Sequence, residues 1–289
     1  MKTALLTGST GGLGQKVVQI LAEDGWNLIL LNRDSNQAGK QLVELTETYP
    51  NQSFDSFIAD MLDLEELAQT AKKIASVHPR ITALFNIAGL LTDKRIVSAQ
   101  AIEGHFAVNA VAPYLLISTL RQQLRAGATQ DTPSFIVNFS TSAVNSVKTL
   151  EVEKLVNPEK IGGLLDAYAK TKTVLNVMTE FIKSELYSEH VYIYAVDPGP
   201  TKTQMTDGNG GMPWFIRLLV PIMFGDADKQ AKKLMDALHK AISNQKSGIF
   251  ISEGKVKDNP AIALDREVQS EVKGLLDHLI APAQNTAMR

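Results

Sequence analysis

The chain has 289 residues, 44% hydrophobic and 21% charged, with a formal net charge of -2, which suits one large or two small soluble domains built on a real core. The near balance of charge and the absence of any Lys/Arg run give no electrostatic basis for nucleic-acid binding, and the lack of cysteine excludes disulfides, thiolate metal sites and cysteine nucleophiles. No apolar run approaches the ~20 residues of a membrane span, and the first residues pass straight into a Gly-rich turn without the apolar core of a secretory leader, so a cytoplasmic protein with no integral membrane segment and no metal site is expected.

Lys2 to Thr7 reads as a short buried strand, and Gly8-Ser9-Thr10-Gly11-Gly12-Leu13-Gly14 as a tight turn into a helix reaching about Glu23. Glycine lets the backbone approach phosphate oxygens, and a helix N-terminus offers free N–H groups and a favourable dipole, so a pyrophosphate fits here. Trp26 to Leu31 is the second strand, ending at Asn32-Arg33-Asp34. At this strand end an acidic residue suits ribose hydroxyls and a cation suits a 2′-phosphate. Arg33 therefore favours NADP(H), while the nearby Asp34 leaves NAD(H) open.

Helices near Gln37–Thr48 and Leu64–Val77 then alternate with strands Phe54–Ala59 and Ile81–Phe85. A long helical stretch from about Ala99 to Arg125 follows, then strand Phe135–Phe139, a helix carrying Tyr168, and strand Val191–Val196. Strands alternating with helices of ten or more residues imply parallel pairing and right-handed crossovers. The expectation is an α/β protein with a single doubly wound parallel sheet, a Rossmann fold with helices on both faces, spanning 1–289 as one domain. Ligands of such sheets bind beyond the carboxyl ends of the strands. The residues there are small, polar or Gly: Gly8 to Gly14, Asn32-Arg33, Asp60-Met61, Asn86-Ile87-Ala88-Gly89, Ser140-Thr141-Ser142, and Asp197 to Thr203.

Tyr168 and Lys172 lie four apart on their helix and so share a face. A phenol beside a fixed positive charge ionises more readily than its reference pKa of about 10 implies, which makes the pair an acid or base near neutral pH.

Taken together, Thr7-Gly8-x-x-x-Gly12-x-Gly14, Asn86-x-Ala88-Gly89, Tyr168-x-x-x-Lys172 and Pro198-Gly199 with Thr203 following resemble the short-chain dehydrogenase/reductase family in order and approximate spacing. Asp60 and Asn109 extend the match, which covers roughly the first 205 residues. The resemblance implies an NADP(H)-preferring enzyme that moves a hydride between nicotinamide and a carbonyl or alcohol. Tyr168 would be the general acid/base, Lys172 would lower its pKa and hold the nicotinamide ribose, and Asn109 would fix a water relaying protons toward Lys172. Gly8, Ser9, Thr10, Leu13 and Gly14 would line the phosphate turn, with Asp60 and Met61 at the adenine. Asn86, Ala88 and Gly89 would surround the adenosine-side ribose, and Thr201 and Thr203 would lie near the nicotinamide amide and phosphates. A buried structural amide remains an alternative role for Asn109.

The family's catalytic hydroxyl follows strand five, and counting from Asn138 places Thr141 there, with Ser142 the alternative. The gap from Thr141 to Tyr168 is about twice the family's usual one, so Val147 to Gly163 looks inserted. Such insertions, and the closing strand Ser247–Ile251, are similar to the branch of retinol dehydrogenases and protochlorophyllide reductase. The segment Gln204 to Phe224, rich in Gly and large apolar residues, would be a substrate lid, which implies a lipophilic carbonyl or alcohol. Family members often pair as homodimers or homotetramers through the long helices that here contain Asn109 and Tyr168. The contrasting reading is a dinucleotide-sensing binding protein without turnover.

Overall fold

A computed structural model of the chain describes residues 2–129, 131–158, 163–200 and 225–287. Seven parallel strands and one antiparallel edge strand form a sheet of order β3-β2-β1-β4-β5-β6-β7-β8. These are β1 (Thr3–Thr7), β2 (Asn27–Asn32), β3 (Phe54–Ile58), β4 (Ala83–Asn86), β5 (Ser134–Phe139), β6 (Val191–Asp197), β7 (Ile249–Ser252) and β8 (Lys255–Lys257). The order reverses between β1 and β4, which opens the crevice where such sheets take ligands.

Alternate residues of the central strands enter two cores. Leu5, Ile29, Leu31, Leu84 and Ile136 face one side, where they pack with α3 (Leu64–Val77), α5 (Ala112–Thr119) and α7 (Leu164–Leu186). Leu6, Leu28, Leu30, Phe85 and Val137 face the other, with α1 (Gly12–Glu23) and α8 (Ala227–Ser243). Burial on both faces accounts for strands that read as apolar runs rather than as alternating patterns. Among the described residues, four helices start on an aspartate whose side chain accepts two backbone N–H groups: Asp34 on α2 (Ser35–Thr48), Asp63 on α3, Asp226 on α8 and Asp265 on α10 (Arg266–Thr286). Each such cap contributes about 1 kcal/mol.

The long helix expected over 99–125 is three α-helical pieces and a π-turn. The helix begins at Gly104 because the chain before it is folded back: Ala101 has φ +59°, Val97 bridges Glu103, and the Glu103 carboxylate caps Phe106. After α4 (Gly104–Phe106) comes a π-turn, Ala107–Val111, then α5, and beyond Leu120 the short α6 (Arg121–Gly127). The segment read as inserted builds into the core through Val147, Leu150, Val152 and Leu155, and the Val156 carbonyl accepts the Glu103 N–H at 2.7 Å. Residues 159–162 of it, and the whole of the expected lid at 204–224, lie outside the described residues. The closing strand is Ile249–Ser252, two residues later than expected, and hairpins back onto β8.

After α9 (Ala261–Leu264), α10 packs against α3, α5 and α7. The Tyr114 hydroxyl donates to Asp277 at 2.5 Å, and the Lys72 ammonium to the Gln284 carbonyl at 2.9 Å. Part of the helix surface expected to pair with a second copy is thus already covered by the chain's own C-terminal helix.

Candidate active site

The phosphate turn forms as its glycines require. Gly8 has φ +66°, and a Cβ there would stand 3.0 Å from the Ala88 Cα, so β1 and β4 bring their following loops into contact. A Cβ on Gly14 would lie 2.2 Å from the Gly8 carbonyl oxygen, which is how closely α1 approaches the turn. The Thr7 hydroxyl accepts the N–H groups of Ile87 and Ala88, both at 3.1 Å, and fixes the loop after β4. Gly12 opens α1, and its cap residue, Gly11, has no side chain to bond the first-turn amides. Free amides at a helix start suit a phosphate oxygen. Leu13 packs into the core under the turn, and Thr10 is half-buried.

Ser9 is fully buried, donating its hydroxyl to Gln41 at 2.7 Å and accepting from Asn32 at 2.7 Å. Its side chain faces inward, so only its backbone is on offer to a phosphate. Asn32, where an acid would meet a ribose, is likewise buried in this network. Arg33 is exposed beside it, with no ion pair among the described residues, whereas the Asp34 carboxylate is committed to capping α2 at 2.9 Å from the N–H groups of Asn36 and Gln37. Asp60 holds its own loop by accepting the Leu62 N–H at 2.9 Å, and Met61 leans on the core. Asn86 is buried and donates to Asn138 at 2.8 Å, while its own Oδ1 has no partner among the described residues.

On the far side of the crevice, Gly89, Asn109 and Lys172 converge. A Cβ on Gly89 would lie 3.2 Å from Asn109 Oδ1 and 3.4 Å from Lys172 Nζ. The Asn109 amide accepts the Leu90 N–H at 2.8 Å, and donates to the Leu90 carbonyl at 3.0 Å and to Thr171 at 3.2 Å. The π-turn around Asn109 has a local cause, since Pro113, four residues on, has no N–H to give the Asn109 carbonyl. The Ala112 N–H reaches Ala107 instead. The side chain of Asn109 thus ties the loop after β4 to α7, and Pro113 is the sequence signal for the π-turn.

Lys172 Nζ donates to the Phe139 carbonyl at 2.6 Å and stands 5.9 Å from the centre of the Tyr168 ring. Burial pushes the Lys172 ammonium down to about 7, and burial together with the Asp197 carboxylate pushes the Tyr168 phenol up to about 12. This reverses the effect expected of the pair. Desolvation penalises both charged forms.

Thr141 accepts the Ala143 N–H at 3.3 Å and is half-buried; Ser142 is exposed and bonds Asp197. Asp197, unremarked in the sequence beyond its place at a strand end, also accepts from Ser252 at 3.0 Å and from the Gly199 N–H at 2.9 Å. Burial raises its pKa against those bonds. Pro198 and Gly199, the latter with φ +84°, turn the chain out of β6, and Thr201 and Thr203 fall outside the described residues.

Residues 2–152 match the sequence pattern of the short chain dehydrogenase family. The chain belongs to that family. Human retinol dehydrogenase 13 is 26% identical over 204 residues, covering 71% of this chain and 60% of the relative, and human retinol dehydrogenase 11 is 27% identical, covering 74% and 65%. The chain thus spans less than two thirds of the length of these relatives, and it falls in the retinol dehydrogenase-like branch expected from its insertion. Among solved structures, a short-chain dehydrogenase from Sphingobium yanoikuyae in complex with NADPH superposes with a TM-score of 0.68 at 20% identity, over 96% of both chains. The Pseudomonas aeruginosa RhlG/NADP active-site complex superposes with 0.69 at 20% identity, over 88% of this chain and 95% of that one. Both share the fold. Among the described residues no helix is long and apolar enough to cross a membrane, and no group of three or more His, Cys, Asp or Glu could hold a metal.

Proposed function

We propose that this short chain dehydrogenase is an NADP(H)-dependent oxidoreductase acting on a lipophilic carbonyl or alcohol, with Tyr168 as the general acid/base. The observation that carries the reading is the convergence of Gly89, Asn109, Lys172 and the β5 end on one side of the crevice whose other side is the Gly8–Ala88 contact. The uncapped α1 amides and the glycine turn fit a dinucleotide pyrophosphate, and the exposed Arg33 beside a buried Asn32 fits a 2′-phosphate better than a ribose diol. Asp34 caps α2 through Oδ1, which holds its carboxylate toward the helix start.

Bound dinucleotide supplies or accepts the hydride. In reduction, Tyr168, held protonated by burial and Asp197, gives its proton to the substrate oxygen while the Thr141 hydroxyl orients that oxygen. Lys172, which titrates near neutral pH, returns the proton to Tyr168's side of the site, with Asn109 holding the loop beside it. The lipophilic substrate rests on the composition of 204–224 and on the retinol dehydrogenases among the relatives.

The test is a fluorescence titration with NADPH and NADH, followed by loss of 340 nm absorbance against aromatic, aliphatic and retinoid-like carbonyls. Tighter NADPH binding with turnover that Tyr168→Phe abolishes is expected, along with loss of the NADPH preference in Arg33→Ala. Tight NADPH binding with no NADPH oxidation in the presence of any of these carbonyls would favour a sensor instead.

A further inference from the structure

Lys172, Asn176 and Glu180 follow one another at four-residue intervals along one face of α7. From this face runs a hydrogen-bonded chain that reaches the C-terminal part of the protein. The Ser140 hydroxyl donates to Asn176 Oδ1 at 2.5 Å, and Asn176 Nδ2 donates to Asn259 Oδ1 at 3.1 Å. Asn259 Nδ2 donates to Glu180 Oε1 at 2.5 Å and to the Gly248 carbonyl at 3.0 Å, and Glu180 Oε2 accepts the Lys183 ammonium at 2.6 Å. Ser140, Asn176 and Glu180 are buried, so water competes little for these bonds.

The direction of the chain is set from its carboxylate end. Glu180 and the Gly248 carbonyl are both acceptors, so only the nitrogen of the Asn259 amide can face them. Its oxygen then meets the Asn176 nitrogen, Asn176 turns its oxygen to Ser140, and the Ser140 proton is committed. One turn earlier on α7, Lys172 holds the Phe139 carbonyl, the group immediately before Ser140. The end of β5 is therefore gripped at two adjacent points by the helix that carries Tyr168.

Building on the oxidoreductase reading above, we propose that Asn259, in the connection between β8 and α9, is a positioning residue for the proton-transfer centre. With Glu180 it locks Asn176 and Ser140, sets the Phe139 carbonyl against Lys172, and leaves the hydroxyl of Thr141, not that of Ser140, free to meet a reacting oxygen. The Asn259 amide satisfies all three of its partners at once, which no other residue type would do at this reach.

Asn259→Ala opens the clasp at one end and Ser140→Ala at the other, with a smaller change in packing. In both, turnover at saturating NADPH should fall about 10–100-fold, the scale of a displaced reacting group, with the KM for the carbonyl little changed. Water entering beside Lys172 should return its titration from about 7 toward the ordinary 10.5, and the corresponding limb of the pH profile should move the same way. The Lys172 titration is read by NMR of 13C-labelled lysine side chains, with the signal assigned by its loss in Lys172→Arg. This readout needs no substrate, so a wild-type protein that reduces no carbonyl sinks the oxidoreductase reading while the clasp is still judged on the titration. A Lys172 titration unchanged in both variants overturns the proposal.

Discussion

Gly8→Ala puts a methyl group where the protein has least room and the backbone least tolerance. At φ +66° an L-residue costs about 1–2 kcal/mol. The new Cβ would stand 3.0 Å from the Ala88 Cα and 3.1 Å from the Ala88 nitrogen, both backbone atoms that cannot swing aside, and such overpacking costs about 1–3 kcal/mol. The stiffer unfolded chain offsets about 0.4–1 kcal/mol of this, leaving a net loss of about 1–5 kcal/mol. In a chain of this size that lowers the melting temperature by about 2–8 °C. Calorimetry checks the stability, and NADPH fluorescence checks the function, because pushing the β4 loop away from the turn widens the phosphate cradle and should weaken binding. Gly39→Ala is the control: Gly39 is exposed within α2 with nothing within 4 Å of its added Cβ, and gains about 0.5–1 kcal/mol. A Gly8→Ala protein that melts with the wild type and binds NADPH equally well would refute the close contact of the two loops.

Asp197→Asn removes a buried negative charge that raises the Tyr168 pKa, so the alkaline limb of carbonyl reduction should move to lower pH in a pH–rate profile; an unmoved limb would separate Asp197 from Tyr168. Lys172 has a folded pKa of about 7 against an ordinary 10.5, so its contribution to stability is fully present above 10.5 and lost as pH falls toward 7. Wild type should therefore gain stability between pH 7 and 10 in urea titrations, and Lys172→Met should flatten that rise. Asp34→Ala should cost about 1 kcal/mol through the lost α2 cap, with the NADPH to NADH affinity ratio unchanged; a large shift in that ratio would mean that Asp34 reaches the ribose.

The amino-acid sequence alone carried the layered architecture, because buried strands and helices alternate with strand ends of small and polar residues. It also carried the members of the candidate site that recur at short spacing: the Gly8–Gly14 turn, Asn86 to Gly89, and the Tyr168–Lys172 pair. It misled where a local pattern competes with a tertiary constraint. Apolar residues over 99–125 read as one helix, but the chain reversal at Ala101, the missing N–H of Pro113 and the break at Leu120 divide it.

What only the tertiary structure decided depends on groups distant in sequence and on solvent. Four-residue spacing says that a phenol and an ammonium share a helix face; it says nothing about how much water reaches them, and burial reverses the expected direction of the Tyr168 shift. That the Ser9 hydroxyl is taken up by Asn32 and Gln41, leaving its backbone to line the turn, depends on residues 23 and 32 positions away. Asp197, Asn176 and Asn259 carry no motif at all, because their roles arise where β6, α7 and the connection after β8 meet, and hydrogen-bond partners so far apart in the chain are set by packing.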